Sequence, residues 1–249
     1  MFIDVHCHLD LCGDINSIIK KCEENGVGRI LTHGVDKRTN KMALELQKRH
    51  EIVGACLGIY PEDALRMKDS EIEGELDFIR KNEEKILAIG EIGLDFKDIL
   101  GEKDKEKQLR TFVELVKLAL EINKPVIVHS RKAEKECIEV LERLNARKVI
   151  MHCFSGNMAL VERIKDNGWY LSIPGNVTFS EHFQSVVKNI KIENLLCETD
   201  SPFLHPIKGK RDNDPSNVIE SYKKIAEIKE ISLQKCENQI EKNYRKIFN

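Results

Sequence analysis

The sequence predicts a single α/β domain of the TIM-type (β/α)₈ barrel class. Three observations carry that prediction. Eight short β-rich runs alternate with longer charged stretches of helical spacing. The chain has 249 residues, the usual size of such a barrel. The first run closes on His6-Cys7-His8, where a doubly wound open sheet would normally carry a glycine-rich phosphate turn.

The β-type runs are Phe2–His8, 29–35, 53–60, 86–94, 126–130, 149–154, 169–173 and 195–199. Each has a core of Ile, Val, Leu, Ala or Cys, as parallel strands covered on both faces require. Helices are expected near 14–25, 37–49, 70–84, 131–145, 157–167, 180–190 and 214–247. A further helix follows from Leu109, Phe112, Val113, Val116 and Leu120, a helical stripe with Lys and Glu on the opposite side. The last helical stretch is expected to pack across the outer ring. No Pro/Gly/Ser linker or short repeat divides the chain, so residues 1–249 read as one domain.

Composition narrows the function classes. Apolar residues make up 41% and charged residues 33%, with a net charge of −2. A near-neutral balance argues against a general polyanion binder; contact with nucleic acid would need a local basic patch. The eight cysteines form no CxxC pair, and several sit inside apolar runs such as Leu196-Cys197-Glu198. They read as small buried hydrophobes of a reducing, cytoplasmic protein. The N-terminal residues show neither a basic n-region nor an apolar h-region, and no run reaches the length of a membrane span. No heptad or exposed apolar stripe argues for an oligomer, so a monomer is expected.

Metal-capable side chains recur at the strand ends. His6 and His8 are two apart, so a strand turns both to one face and Cys7 to the other. Glu91 ends the fourth run, His129 the fifth, His152 the sixth, and Asp200 follows the eighth. In a barrel these positions meet at the C-terminal mouth, where active sites form. Four histidines and two carboxylates gathered there make sense around two divalent ions, Mg²⁺, Mn²⁺ or Zn²⁺. His33 is expected outside the ligand set, and His50, His182 and His205 in loops or on the surface.

The whole chain resembles the TatD family of metal-dependent deoxyribonucleases, within the amidohydrolase-like barrels. The resemblance rests on Phe2-Ile3-Asp4-Val5-His6-Cys7-His8-Leu9-Asp10, Gly90-Glu91-Ile92-Gly93-Leu94-Asp95, Pro125-Val126-Ile127-Val128-His129-Ser130-Arg131, His152-Cys153-Phe154-Ser155-Gly156 and Glu198-Thr199-Asp200-Ser201-Pro202. It implies one metal on His6, His8, Glu91 and Asp200, and a second on Glu91, His129 and His152. It also implies DNA as substrate, attacked from the 3′ end of single strands, with Arg131 at the phosphate. Phe154, Ser155 and Asn176 would shape the pocket. Asp200 would act as general base, with Glu91 shared by the metals.

Three positions depart from the family pattern. Tyr60 stands where members often carry His in Gly-x-His-Pro, and its hydroxyl is expected to meet substrate phosphate. Val5 replaces a small residue. The Arg-Asn-x-Pro loop appears as Arg211-Asp212-Asn213-Asp214-Pro215, which either brings Lys208, Lys210 and Arg211 to the substrate near the rim or leaves them as a solvated charged loop. Stacking aromatics would come from Tyr60, Phe154 or Phe203, although Phe203 is expected to be packed. The alternative reading is another ester or C–N hydrolase of the same superfamily, for example one acting on aminoacyl-tRNA. Glu91 at the fourth-strand position argues against barrels bridged by a carbamylated lysine.

Overall fold

The computed structural model describes residues 1–99 and 101–249. Eight parallel strands form one sheet in chain order: β1 (Phe2–Cys7), β2 (Val27–Gly34), β3 (Val53–Leu57), β4 (Ala88–Gly93), β5 (Val126–His129), β6 (Val149–His152), β7 (Tyr170–Ile173) and β8 (Leu195–Cys197). Every residue of β3 and β4 is buried, which is why both read as unbroken apolar runs rather than alternating ones. The barrel prediction therefore holds.

The ring is joined differently at its last seam. Between β8 and β1 a buried side chain takes part: the Asp4 carboxylate accepts from Thr199 N at 3.0 Å and from Thr199 Oγ1 at 2.6 Å. The backbone adds Asp200 N to His6 O at 2.9 Å and His8 N to Ser201 O at 2.8 Å. These bonds tie the first histidine pair to the Asp200 turn.

Outside the strands lie α1 (Ile15–Glu24), α2 (Lys37–Arg49), α3 (Pro61–Arg66), α4 (Asp69–Lys81), α5 (Glu102–Glu121), α6 (Glu134–Arg143), α7 (Met158–Asp166), α8 (Glu181–Asn189), α9 (Val218–Ile228) and α10 (Leu233–Phe248). Their starts follow local chemistry. Asp14, Asp36, Asn157, Ser180 and Ser232 each accept a first-turn backbone N–H, worth about 1 kcal/mol apiece.

Three expectations need correction. The third run stops as a strand at Leu57, and α3 begins at Pro61, whose fixed φ suits a first helical position. The core face of α5 is Phe112, Leu115, Val116 and Ala119, whereas Leu120 is exposed; the apolar face is rotated from the expected stripe. The single helix expected over 214–247 is two. Glu230 takes a left-handed φ of 54°, and Ser232 caps a new helix at once.

Both final helices do pack on the barrel. Tyr222 of α9 accepts from Ile3 N at 3.0 Å, and Asn243 of α10 donates to Leu195 O at 2.8 Å. All eight cysteines are free and six are buried; Cys12 and Cys153 are partly exposed. Among the described residues no helix is long and apolar enough to cross a membrane.

Candidate metal centre

β4 brings Glu91 to the middle of the mouth, and two glycines let it sit there. A Cβ at Gly58 would lie 2.9 Å from the Glu91 carbonyl oxygen. Gly93 has a φ of 142°, and a Cβ there would collide with the His129 backbone. Neighbouring strands can thus crowd around a buried carboxylate.

The two carboxylate oxygens of Glu91 face different histidines. Oε2 is 3.7 Å from His6 Nε2 and 3.4 Å from His8 Nε2. Oε1 is 2.8 Å from His129 Nδ1 and 3.6 Å from His152 Nε2. Asp200 Oδ1 lies 3.6 Å from both His6 Nε2 and His8 Nε2. Cys7 points away, its thiol directed at Leu31 O, as the strand period requires.

Behind the second pair stand two carboxylates that sequence reasoning missed as functional. His129 Nε2 is 2.9 Å from Asp95 Oδ2, which also accepts from the Tyr60 hydroxyl at 3.1 Å. His152 Nδ1 is 3.0 Å from Glu198 Oε2, and Glu198 accepts from Cys153 N and from the Ser172 hydroxyl. Each rear carboxylate favours a ring N–H on its own side, which leaves the forward lone pair for a cation. Asp95 and Glu198 both lie in conspicuous acidic motifs, but their aim becomes visible only in three dimensions.

Protonation follows this layout. Burial would raise the Glu91 carboxyl, yet the imidazoles of His129, His6 and His8 gathered around it outweigh burial and hold it well below the carboxylate range. Burial lowers His152, but Glu198 prevails and lifts it to about 10. His8 and His129 are likewise raised by their carboxylates against burial. Burial, with His152 and His33 alongside, pushes His6 well down. Burial raises Asp200 to about 6, with His152 and His8 pulling the other way.

His6 supplies the test of fit for a cation. It is fully buried, and neither ring nitrogen has a hydrogen-bond partner. Its ring is stacked between His33 at 3.9 Å and His152 at 3.7 Å, so it cannot turn to find one. A bare buried nitrogen costs about 1–3 kcal/mol. A cation between His6 Nε2 and the carboxylates 3.6–3.7 Å away would relieve it. Two sets of donor atoms have the needed closeness, His6–His8–Asp200 and His6–Glu91–His152, each within 4.8 Å. His129 falls outside both sets and reaches the group through Glu91. His33 stacks on His6 and contacts Val5 O at 3.1 Å.

The cup opens into a cavity of about 690 Å³. Tyr60, Arg131 and Ser155 line it, and Ser155 donates to Glu134 at 2.9 Å. Two other sequence-predicted residues do not line it. Phe154 is 1% exposed, with its ring packed under Gly156 and its carbonyl bonded to His182. Asn176 sits in a 3-10 turn, its Oδ1 buried without a partner. Lys208, Lys210 and Arg211 are exposed and away from the lining. Phe203 overturns its expected packing: it is 53% exposed and lines the mouth. A larger cavity of about 880 Å³ between α2, α3 and α4 shares no residue with the cup. Two of its acids serve the fold, Asp36 as the α2 cap and Glu75 as a partner of Asn40.

Comparison with known proteins agrees with this fold. A family model described as TatD related DNase matches residues 3–249. The uncharacterized metal-dependent hydrolase YabD of Bacillus subtilis is 35% identical, covering 100% of this chain and 99% of the relative. Human deoxyribonuclease TATDN3 is 31% identical, covering 99% of this chain and 94% of the relative. Among solved structures, the TatD homolog YjjV of Escherichia coli superposes with a TM-score of 0.90 at 27% identity, over 100% of this chain and 98% of that one. With a buried histidine–carboxylate cup at the mouth of its barrel, the chain belongs to the TatD related DNase family of metal-dependent hydrolases.

Proposed function

We propose that this protein is a deoxyribonuclease that shortens single-stranded DNA from its 3′ end, using two divalent ions, Mg²⁺, Mn²⁺ or Zn²⁺. One observation carries the reading: the two oxygens of Glu91 face separate histidine pairs. A carboxylate so disposed suits a bridging ligand, with His6, His8 and Asp200 on one side and His129 and His152 on the other. The human relative named a deoxyribonuclease supports DNA as the substrate. The cup is completed within one chain, which supports action as a monomer, and the free thiols fit a cytoplasmic enzyme.

Divalent ions bound here would acidify water and offset charge on the phosphoryl oxygens. The chain's own residues do the rest. Asp200, its Oδ1 3.6 Å from both His6 Nε2 and His8 Nε2, orients the attacking water and accepts its proton. Arg131 at the lining gives a planar donor for a phosphate oxygen. Asp95 and Glu198 hold His129 and His152 in one tautomer. Tyr60, bonded to Asp95, turns its hydroxyl into the same corner in place of the family histidine.

The test uses single-stranded DNA labelled at either end, with aminoacyl-tRNA as a second substrate, across added Mg²⁺, Mn²⁺ and Zn²⁺. Stepwise loss from the 3′ end is expected. Turnover of the aminoacyl ester alone, with DNA intact under every metal, would contradict the proposal.

A further inference from the structure

Phe203 is a large aromatic ring left 53% exposed in a chain that buries most of its apolar side chains. Its position is fixed by the backbone. Phe203 N donates to Asp200 O at 2.8 Å, and Phe203 O accepts from Asn213 Nδ2 at 2.7 Å. The same amide donates to Thr199 O at 3.1 Å, and Asn213 N donates to Pro202 O at 3.1 Å. Asn213 is itself buried. A buried asparagine therefore clamps both sides of the turn that joins a cup carboxylate to an exposed ring.

The surroundings are divided by topology. Phe203 follows β8, and Leu11, also 53% exposed, follows β1; the two line the same mouth. Arg131 and Ser155 follow β5 and β6. With strands in the order β1 to β8 around the ring, β5 lies across from β1. The mouth thus has an apolar, aromatic side and a polar, cationic side, with the carboxylate–histidine cup between them. The Phe203 and His8 ring centroids are 6.3 Å apart, so the ring stands next to the cup.

We propose that Phe203, flanked by Leu11, is the stacking face for the nucleobase next to the phosphodiester held at the cup. This rests on the deoxyribonuclease reading and adds to it which part of the nucleotide is gripped, and where. A nucleotide carries its base a sugar's length from its phosphate, so a phosphate between Arg131 and the cup leaves the base to find the opposite rim. A flat ring without a hydrogen-bonding edge reads no particular base and accepts all four. The ligand class is an unpaired nucleobase at a strand end, since a paired base has its face covered.

The test compares the metal-loaded wild type with Phe203→Ala, Phe203→Trp and Phe179→Ala; Phe179 is an exposed aromatic away from the lining. Substrates are a single-stranded oligonucleotide and the same oligonucleotide abasic at both terminal residues. Affinity is read by anisotropy on phosphorothioate-linked versions. Phe203→Ala should raise Kd and KM for the natural strand roughly 5- to 150-fold, leave kcat near the wild-type value and leave the abasic strand unaffected. Phe203→Trp should restore binding, and Phe179→Ala should match the wild type. An unchanged Kd in Phe203→Ala, or an equal loss on the abasic strand, would overturn the stacking face while cleavage by the wild type upheld the nuclease. Absence of binding and cleavage of any oligonucleotide by the wild type would overturn both.

Discussion

The two histidine pairs of the cup are built in opposite ways. His6 lies in β1 and His8 one residue past its end, two residues apart, and among the described residues no carboxylate is hydrogen-bonded behind either; His6 is stacked between the faces of His33 and His152. His129 and His152 come from separate strands, and each is braced from behind by a buried carboxylate, Asp95 or Glu198. Backbone geometry aims the first pair, since the strand period leaves little choice. Hydrogen bonds aim the second, because a ring at the end of its own strand is free to turn until something holds it. Glu91 joins the two halves.

The largest effect should come from removing that joint. Glu91→Ala is expected to reduce hydrolysis to background while circular dichroism keeps its native form. Metal content, measured by plasma mass spectrometry, should fall for both sites together. If only one ion were lost, the pairs would be independent and Glu91 would not be shared.

Next in size are the braces. Asp95→Asn and Glu198→Gln keep shape but weaken the hold on His129 and His152. Each should reduce metal affinity or activity about 10- to 100-fold, followed by metal titration of the purified variants. Equal loss at both sites would erase the contrast between the pairs.

Acidity sharpens the comparison further. His8, His129 and His152 carry raised pKa values, that of His152 being about 10, so protons occupy positions that a cation must take. Metal binding should then release protons, and affinity should rise with pH by up to about tenfold per unit for each proton displaced. Calorimetry in buffers of different ionisation enthalpy reads this directly. An affinity flat from pH 6 to about 9 would mean that the imidazoles are already neutral.

The smallest expected effect lies below the cup. Asp4→Asn should weaken the β8–β1 seam, where Asp4 meets Thr199 twice, by about 1–3 kcal/mol in urea denaturation. No loss would mean that the backbone bonds at Asp200 and His8 close the ring unaided.

The difference between the pairs also explains what the sequence reveals. His6 and His8 are legible because two imidazoles at strand period announce a shared face. His129 and His152 are legible because each ends an apolar run, and Glu91 because it is the one charged residue inside another; the barrel gathers all three. Asp95 and Glu198 are not, because a carboxylate's partner depends on how neighbouring strands are staggered. The same holds for Phe203, whose exposure is set by the Asn213 clamp ten residues later. Local rules fail elsewhere for local reasons. Glu230 ends a helix in a left-handed conformation without glycine, and the α5 stripe gave two faces of similar apolarity.

Anomalous diffraction from crystals soaked in Mn²⁺ tests the shared-carboxylate claim most directly. Two peaks are expected about 3.5–4 Å apart, one bounded by His6, His8 and Asp200, the other by His129 and His152, with one Glu91 oxygen on each. A single peak, or a pair that Glu91 does not touch, would contradict the account.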